Sequence, residues 1–281
     1  MTDIGDPRGI LYPTRLPTFH REPAPPELTD RIRWFWIPRW NVPPGRVSRQ
    51  TLLSFPASHL VVAPEGVTLT GPTTHVSHRD LTGAGWVVGA SLRPAGLAAL
   101  HAEPEAIRDR EIPFEAPDLH RSVATAMLGP EPDEPHRTET SDTSNTDPRT
   151  TRAAEAFTAW ALAHLPHPDE AGLLANAMEE LIAGDRSLRR VDDLADRLHL
   201  SARAVQRLAR RHVGLAPLAI IRRYRLQEAA QRLRDDPTVT VAHIAAELGY
   251  ADHAHLTSDF RSTLGFTPAS YRCGHNGAPQ A

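Results

Sequence analysis

The sequence predicts an α+β protein of two domains, in which a small antiparallel β domain with short helices precedes an all-α domain. Short β-rich runs separated by proline and glycine fill the first half, whereas residues after about 190 repeat apolar positions at helical spacing. Between them, residues 129–150 are rich in proline, acidic and hydroxyl side chains and contain no hydrophobic residue, as disordered linkers do. We therefore expect domains at residues 1–128 and 151–275, on either side of a linker at residues 129–150.

The first domain is expected to open with an irregular lead-in, because residues 1 to about 28 are rich in proline and lack apolar periodicity. Residues 31–40, RIRWFWIPRW, alternate arginine with aromatic residues as a strand does, and Pro38 indicates a sheet edge or a bend. Further short strands are predicted between residues 52 and 72 and at residues 85–92. This spacing favours a small sandwich or barrel.

Tryptophans are concentrated in this β domain. They are Trp34, Trp36, Trp40 and Trp86. They either line a ligand pocket, since pockets have largely apolar and aromatic walls, or form the core of the domain. Strand alternation places Trp34 and Trp36 on one face of their strand. The sequence does not choose between pocket and core, and it does not identify ligand-binding residues.

Four helical segments are predicted before the repeated units of the second domain. A short helix begins at Pro94, and residues 109–128 form a looser helical region. Residues 152–165 give an amphipathic helix, which either pairs with its copy in a homodimer or packs on its own domain. Its apolar side consists of Ala156, Phe157, Trp160, Ala161 and Leu165. Residues 171–183 supply a scaffold helix that opens the second domain.

Residues 191–212 have the pattern of a helix-turn-helix unit. The apolar stripe of the first helix is Val191, Leu194, Ala195 and Leu198. Ser201 is a good N-cap for the second helix. Its inward stripe is Val205, Leu208, Ala209 and His212, and its outward stripe is Arg203, Gln206, Arg207 and Arg210. Arginine can bond guanine in bidentate fashion and glutamine can do the same for adenine, so this outward stripe suits a DNA major groove.

Residues 241–264 repeat the plan with a less basic face. The first helix of this unit carries Val241, Ile244, Ala245 and Leu248, and Gly249 marks the turn. Asp252 caps the second helix, which packs through Leu256, Phe260 and Leu264. Its outward stripe is Ala254, Thr257, Ser258 and Arg261. This second reader is therefore expected to tolerate base changes better than the first.

The helix between the two units begins near Pro217 and is stopped by Asp235, Asp236 and Pro237. About 18 residues at 1.5 Å each span roughly 27 Å. This length is near the separation of about 34 Å between successive major grooves on one face of a duplex. The spacer therefore fits two reading helices on one monomer.

Three motifs carry a resemblance to a known family: LADRLHLSARAVQRLARRHVGLAP, RYRLQEAAQRL and IAAELGYADHAHLTSDFRSTLGFTPASYR. They resemble the DNA-binding domain of AraC-type transcription regulators, which implies seven helices with two helix-turn-helix units. The order of elements in the first domain, with WFW, Gly71-Pro72 and SLRPAG, is similar to the cupin-like sensory domain of many such regulators. The second reader departs from the pattern, because it carries alanine and serine where a long polar side chain is often found.

The resemblance implies roles for particular residues. Base contacts would come from outward positions of the two second helices: Arg203, Gln206, Arg207, His253, Ala254, Thr257 and Ser258. Phosphate contacts are expected from Arg210, Arg211, Arg222 and Arg261. Arg223 and Arg225 are expected to be phosphate contacts or plain surface. Phosphate contacts set affinity and salt dependence without reading sequence.

The charge of the chain is asymmetric. Residues 184–272 contain 15 arginines and 10 acidic residues, whereas the rest contains 16 arginines and 24 acidic residues. Such asymmetry is expected when one domain meets phosphate and the other does not. All 31 basic residues are arginine, which indicates genomic base composition as part of the cause. The argument for DNA binding therefore rests on the positions of the arginines.

Other classes of protein find little support in the sequence. There is no G-x-S-x-G, phosphate loop or Cys-x-x-Cys, and the single cysteine, Cys273, lies far from any histidine and acid grouping, so we expect no enzyme and no cofactor. The closest histidine pairs are His253/His255 and His75/His78. A cupin metal site needs paired histidines on one strand with a carboxylate a few residues on, and the N-terminal half has no such grouping. His253 and His255 are expected on the second reader, in groove contact or exposed to solvent, so no metal is expected. Because the sequence shows no signal peptide and no apolar run of 18 residues, we expect a soluble cytoplasmic protein that does not bind membranes.

These patterns favour a sequence-specific transcription regulator that binds double-stranded promoter or operator DNA. Its further expected partners are a small-molecule effector, RNA polymerase and a second copy of the chain. The alternative is a role without DNA, in which the β domain binds a ligand or protein and the helical domain is an interaction module. Salt dependence of binding to mixed duplex DNA discriminates the two, because phosphate neutralisation gives a steep dependence.

Overall fold

The computed structural model describes residues 18–52, 56–129 and 147–276. The N-terminal part of these residues contains the strands β1 (Thr18–Pro23), β2 (Ile32–Asn41), β3 (Ser48–Leu52), β4 (His59–Ala63), β5 (Gly66–Thr70), β6 (Ser77–Leu81), β7 (Ala84–Trp86), β8 (Val88–Leu92) and β9 (Glu111–Pro113). It also contains two 3-10 turns, Pro26–Leu28 and Pro104–Ile107, and the helices α1 (Pro94–Leu100), α2 (Pro117–Leu128) and α3 (Pro148–His164). Every strand pair is antiparallel, which confirms the predicted antiparallel β domain.

The main sheet has the strand order β1-β2-β8-β4-β5-β9, and β3 and β6 form a separate two-stranded ribbon. On one edge β2 pairs with β1, and on the other it pairs first with β8 up to Trp36 and then with β7 from Arg39. Pro38 lies between these two residues. The proline therefore occurs where β2 changes its partner strand, in keeping with the predicted bend.

A register shift between Ile32 and Trp34 decides which side chains of β2 face the core of the sheet. Because of this irregularity, Ile32 lies on the same side as Phe35 and Ile37, and all three are buried in the N-terminal core. Trp34 is buried on the opposite face, in a cluster formed mainly by the helices of the second domain. Two faces of one strand thus serve two different cores.

The structure corrects the expected irregular lead-in over residues 18–28. Residues 18–23 form β1, which pairs with β2 along its whole length from Thr18 to Pro23. Most of its side chains are only half-buried, so backbone pairing holds the strand and little apolar alternation marks it in the sequence. Residues 1–17 lie outside the described residues.

Two further predictions, one of a strand and one of a helical region, were wrong in detail. Residues 85–92 form β7 and β8, separated at Val87, whose N–H donates to the Pro38 carbonyl at 3.2 Å. Within the region predicted as helical, Glu111–Pro113 is the edge strand β9 and pairs with β5. The helix begins only at Pro117, where a proline can occupy the first turn without losing a hydrogen bond.

Helix α3 packs on the N-terminal domain. It begins at Pro148, inside the predicted linker, and the Asp147 carboxylate accepts from the Arg149 N–H at 2.9 Å as its N-cap. Phe157 is buried against Phe35, with ring centroids 5.3 Å apart. The N-terminal core thus extends to Leu165, past the expected boundary at residue 151. The apolar stripe of α3 packs on this core, which argues against its use as a dimer contact. Most of the predicted linker, residues 130–146, lies outside the described residues.

Seven helices follow in the described residues: α4 (Glu170–Gly184), α5 (Val191–Leu198), α6 (Ala202–His212), α7 (Pro217–Asp235), α8 (Val241–Glu247), α9 (His253–Leu264) and α10 (Pro268–Asn276). The pairs α5–α6 and α8–α9 are the two predicted helix-turn-helix units, and the all-α class of this domain is confirmed. None of the described helices has the length and hydrophobicity that a membrane span requires.

Each helix-turn-helix unit has its own apolar core. The first is built from α4, α5, α6 and the start of α7, with Met178, Leu194 and Val205 fully buried. The second is built from the end of α7 with α8, α9 and α10, with Phe260 and Tyr271 fully buried. Helix α7 therefore connects two separate cores.

Candidate nucleic-acid interface

The local sequence around α6 explains how its polar face is presented. His199 adopts a left-handed conformation (φ 53°) and ends α5, and the Leu200 N–H bonds to the Ala195 carbonyl at 2.9 Å. Ser201 then caps α6, since its hydroxyl accepts from the Ala204 N–H at 3.2 Å. The buried side chains of α6 are Val205, Ala209 and His212. The short turn and the cap thus fix which face of α6 is turned to solvent.

The solvent face of α6 has the residues that the sequence predicted. Arg203, Gln206, Arg207 and Arg210 are all exposed. Among the described residues, no carboxylate forms an ion pair with Arg203, Arg207, Arg210 or the neighbouring Arg211. Elsewhere in this domain Arg197 pairs with Asp185 at 2.9 Å and Arg186 with Glu228 at 3.0 Å. The guanidinium groups of α6 therefore remain available to an external anion.

The second reader, α9, is presented in the same way. Gly249 has a left-handed conformation (φ 71°) in the turn, and the Asp252 carboxylate accepts from the His255 N–H at 2.7 Å. His253, Ala254, Ser258 and Arg261 are exposed, whereas Thr257 is half-buried. The exposed face thus has less hydrogen-bonding capacity than that of α6.

A buried carboxylate that sequence reasoning missed holds α9 to α7. Asp259 accepts a hydrogen bond from the Tyr250 hydroxyl at 2.9 Å and forms an ion pair with Arg222. Burial and the nearby Asp259 raise the pKa of Tyr250, and the hydrogen bond to Asp259 raises the pKa of Arg222. Arg222, predicted as a phosphate contact, thus has an internal partner, although half of its side chain remains exposed.

A second buried ion pair joins the two domains. Arg33 of β2 bonds to Glu179 of α4, and the Tyr224 hydroxyl of α7 donates to the same carboxylate at 2.7 Å. Burial alone would lower the pKa of Arg33, but the charge of Glu179 outweighs it and the net pKa is raised. In the sequence, Glu179 lies 146 positions from Arg33 and 45 positions from Tyr224, so no local pattern indicates this cluster.

The prediction for Arg223, a phosphate contact or plain surface, was wrong. Its side chain is buried and donates to the Thr73 hydroxyl at 3.1 Å and to the His75 carbonyl at 2.9 Å. Burial lowers the pKa of Arg223 to about 10, partly offset by the charge of Asp109. This residue therefore bonds the middle of α7 to the N-terminal domain.

The four tryptophans of the β domain are buried in apolar clusters or hydrogen-bonded to neighbouring residues. Trp86 is buried in the N-terminal core, and Trp34 is buried against the helical domain. The Trp36 indole donates to His59 at 3.1 Å, and the Trp40 indole donates to the Thr82 carbonyl at 3.2 Å. Within the residues that the structure describes, no group of three or more histidine, cysteine or acidic residues could hold a metal ion.

The comparisons with known proteins separate the chain into two regions. Residues 194–273 match a family model described as a helix-turn-helix domain, and residues 20–113 match one described as a domain of unknown function, DUF6597. A putative AraC-like transcription regulator of Streptomyces lividans is 33% identical over 121 residues, which cover 43% of this chain and 38% of that protein. Residues 194–273 thus match a helix-turn-helix domain, and part of the chain is similar to an AraC-like regulator.

Other relatives match a shorter part of the chain. The HTH-type transcriptional activator RhaS of Escherichia fergusonii is 39% identical over 88 residues, which cover 31% of each chain. This chain thus spans about a third of the length of the curated relatives it matches.

Among solved structures, the DNA-binding domain of AdpA in complex with a target DNA is 28% identical, with a TM-score of 0.35, and covers 38% of this chain and 97% of that one. ToxT of Vibrio cholerae O395 is 10% identical, with a TM-score of 0.43, and the match covers 92% of this chain and 97% of that one.

Proposed function

We propose that this protein is a sequence-specific DNA-binding transcription regulator of the AraC type. The observation that carries the proposal is the exposed face of α6. Its three guanidinium groups have no ion-pair partner among the described residues, and its one amide is exposed beside them. An unpaired cationic face on the second helix of a helix-turn-helix unit suits the major groove. The name of RhaS as a transcriptional activator supports the same assignment for the matched domain.

The length of α7 supports simultaneous reading by both units. Helix α7 has 19 residues, which corresponds to roughly 28 Å at 1.5 Å per residue. Because its two halves belong to separate cores, α7 separates α6 from α9 on one monomer. We therefore propose contacts in two consecutive major grooves.

The residues divide by the chemistry they offer to DNA. Base contacts are proposed for Arg203, Gln206, Arg207, His253, Thr257 and Ser258. Phosphate contacts are proposed for Arg210, Arg211, Arg222 and Arg261. Arg222 would share its guanidinium between a phosphate and Asp259, so its contribution to the salt dependence should be smaller than that of Arg210.

The wider role of the protein is proposed on the same basis. The N-terminal domain would respond to a small-molecule effector, and the regulator would act in the cytoplasm on promoter DNA together with RNA polymerase. A homodimer would need a surface other than the apolar stripe of α3, because that stripe is buried in the N-terminal core. No part of the proposed activity is enzymatic.

Replacement of Arg207 by alanine tests the base-reading assignment. The loss of a bidentate guanine contact should weaken binding to a selected site by about 1 to 3 kcal/mol and barely change binding to random duplex. Fluorescence anisotropy with both duplexes measures the difference. Arg121→Ala on α2, far from the proposed interface, is the matched control and should leave both affinities unchanged. Equal losses on both duplexes would reassign Arg207 to phosphate.

Salt dependence tests DNA binding itself. Each neutralised phosphate contributes a slope of about 0.9 in log affinity against log salt concentration, so four phosphate contacts predict a slope of about −3 to −4. The full-length chain should be titrated with mixed duplex at salt concentrations from about 50 to about 200 mM, because the affinity of DNA-binding proteins falls steeply over this range. A flat response would favour an interaction module without a DNA role.

A further inference from the structure

Helix α4 packs in the core of the first helix-turn-helix unit, yet it also contributes buried polar side chains to the N-terminal domain. Asn176, which is 6% exposed, accepts from the Ala95 N–H at 3.0 Å and donates to the Asp30 carbonyl at 2.7 Å. Helix α1 has no side-chain cap from its own N-cap residue, so the Asn176 amide supplies the missing acceptor. The N-terminal domain thus takes a helix cap from the second domain.

The next turn of the same helix carries the buried ion pair. Glu179 follows Asn176 by three positions and therefore lies on the same face of α4. Its carboxylate pairs with Arg33 of β2 and accepts from the Tyr224 hydroxyl of α7 at 2.7 Å. Separation of β2 from α4 would therefore break a buried ion pair and two buried hydrogen bonds together.

The apolar core of the first unit also crosses the domain boundary. Trp34 and Ala57, both from the N-terminal domain, are buried in the same cluster as Met178 of α4. Arg223, which bonds to Thr73, lies in the part of α7 that belongs to this cluster. Polar and apolar contacts thus join the N-terminal domain to the first unit.

The second helix-turn-helix unit is attached differently. Within the described residues, its core has no fully buried member from the N-terminal domain, and Val76 packs on it half-buried. The Val76 N–H donates to the Thr263 carbonyl at 3.3 Å. The buried carboxylate of this unit, Asp259, has both of its partners, Tyr250 and Arg222, inside the helical domain. The second unit therefore keeps most of its stabilising contacts to itself.

We propose that the N-terminal domain and the first helix-turn-helix unit open as one cooperative block, in which Asn176 and Glu179 are the positioning residues, and that the second unit opens independently. A change in the N-terminal domain is then transmitted to α6 and not to α9. The block itself is a property of the free chain, whereas its consequence for reading DNA rests on the proposed function.

Native-state hydrogen exchange of the full chain without DNA tests the block, because the slowest amides of a cooperative block exchange only when all of it opens. Glu179→Gln should speed the slowest amides of β2, β8, α4 and α6 by one common factor of at least about a hundredfold. The slowest amides of α8, α9 and α10 should stay unchanged. Glu180→Gln is the matched control, since its carboxylate pairs with Arg93 at the surface, and less than about fivefold is expected anywhere.

Asp259→Asn tests the opposite direction. It should speed exchange in α8, α9 and α10 and leave β2, β8 and α6 unchanged. Tyr224→Phe removes only the hydroxyl bonded to Glu179 and should give the pattern of Glu179→Gln at about tenfold, so it replaces that variant if Glu179→Gln does not fold. An increase confined to residues 176–182, or an equal increase in α8, α9 and α10, would overturn the block.

The transmission to α6 is tested by linkage with two duplexes, one containing only the half-site read by α6 and one only the half-site read by α9. At a free concentration of about 100 times its Kd, the first duplex should slow the slowest amides of β2 and β8 by about a hundredfold. The second duplex should slow those of α8 to α10 alone. Equal effects of both duplexes on β8 would contradict the transmission. Failure of both duplexes to bind would contradict the proposed function and leave the exchange pattern of the free chain to decide the block.

Discussion

At the scale of single residues, Glu179 carries the most consequential contacts between the domains. Its carboxylate is fully buried, forms an ion pair with Arg33 and accepts the hydroxyl of Tyr224. Removing one partner of a buried ion pair is costly because the other charge stays buried without compensation. This one side chain therefore joins β2, α4 and α7.

Glu179→Gln should lower the free energy of unfolding by about 3 to 5 kcal/mol, since Arg33 would keep its charge without a buried counter-charge. Glu180→Gln is a neighbouring control, because Glu180 is exposed and pairs with Arg93 on the surface, where about 1 kcal/mol or less is expected. Urea unfolding followed by circular dichroism measures both. Similar losses for the two variants would show that the buried pair is not the dominant contact.

His59 provides a residue-scale prediction about pH. Burial, with a smaller contribution from the Arg21 charge, lowers the pKa of His59 to about 4. The unfolded chain binds this proton near pH 6.5, so the native state loses stability as the pH falls from 6.5 to 4 and gains nothing above 6.5. Because the ring keeps partial solvent access, we expect a loss of about 2 to 3 kcal/mol.

Urea unfolding between pH 7 and pH 4 measures this dependence. His59→Gln should reduce its slope, whereas His253→Gln, at an exposed position of α9, should not. A residual slope is expected, because burial and Arg211 also lower the pKa of His212. An unchanged slope in His59→Gln would assign the acid sensitivity to other groups.

Among the elements, α6 and α9 share a construction but differ in the chemistry of their exposed faces. Both begin at a side-chain N-cap, Ser201 or Asp252, and both present one exposed face. The face of α6 carries long donors, whereas Ala254 has no polar group and Ser258 is short. Both helices have buried packing residues, and α9 is also held by Asp259, so the difference between them lies in their exposed side chains.

Selection of binding sites from a randomised duplex should therefore return one sharp half-site and one degenerate half-site. Each good bidentate contact discriminates against a wrong base by about 1 to 3 kcal/mol, and α9 has fewer side chains capable of one. Sequencing of the selected pool measures the information at each position. Two equally sharp half-sites would contradict the expected asymmetry.

At the scale of the whole molecule, the domains are held against each other at several places. Arg223 of α7 bonds to Thr73, and the Val76 N–H donates to the Thr263 carbonyl at 3.3 Å. Gly214, just after α6, faces the backbone of the 3-10 turn Pro104–Ile107 so closely that a Cβ would lie 2.6 Å from the Pro104 oxygen. Both helix-turn-helix units therefore contact the N-terminal domain.

Gly214→Ala and Gly265→Ala form a matched pair that tests the contact beside α6. Both glycines have left-handed backbone conformations, φ 78° and φ 81°, so both substitutions carry a strain of about 1 to 2 kcal/mol. A Cβ at Gly265 meets no atom within 4 Å, whereas one at Gly214 displaces the turn. Gly214→Ala should therefore cost about 1 to 3 kcal/mol more in urea unfolding.

Hydrogen exchange should locate the difference in residues 102–108, where Gly214→Ala increases exchange and Gly265→Ala leaves it unchanged. Equal stability and equal exchange in the two variants would mean that the turn does not rest on α6 in solution.

Local interactions explain what could be predicted from sequence. The stripes of α5, α6, α8 and α9, the caps at Ser201 and Asp252 and the exposed arginines of α6 depend on neighbours three or four positions away. Strand β2 and helix α1 were likewise evident from alternation and from Pro94. Strand β1 was not, because its stability comes from pairing with β2 and leaves little pattern in its own side chains.

Sequence patterns predicted the class of each domain and the exposed polar face of α6, because helical and strand periodicities are local properties. The packing of α3 into the N-terminal core, the ion pair of Arg33 with Glu179 across 146 residues and a cleft beside α6 are evident only in the folded chain. An apolar stripe or a buried charge requires a partner but does not name it. The partner follows from which elements the chain brings together.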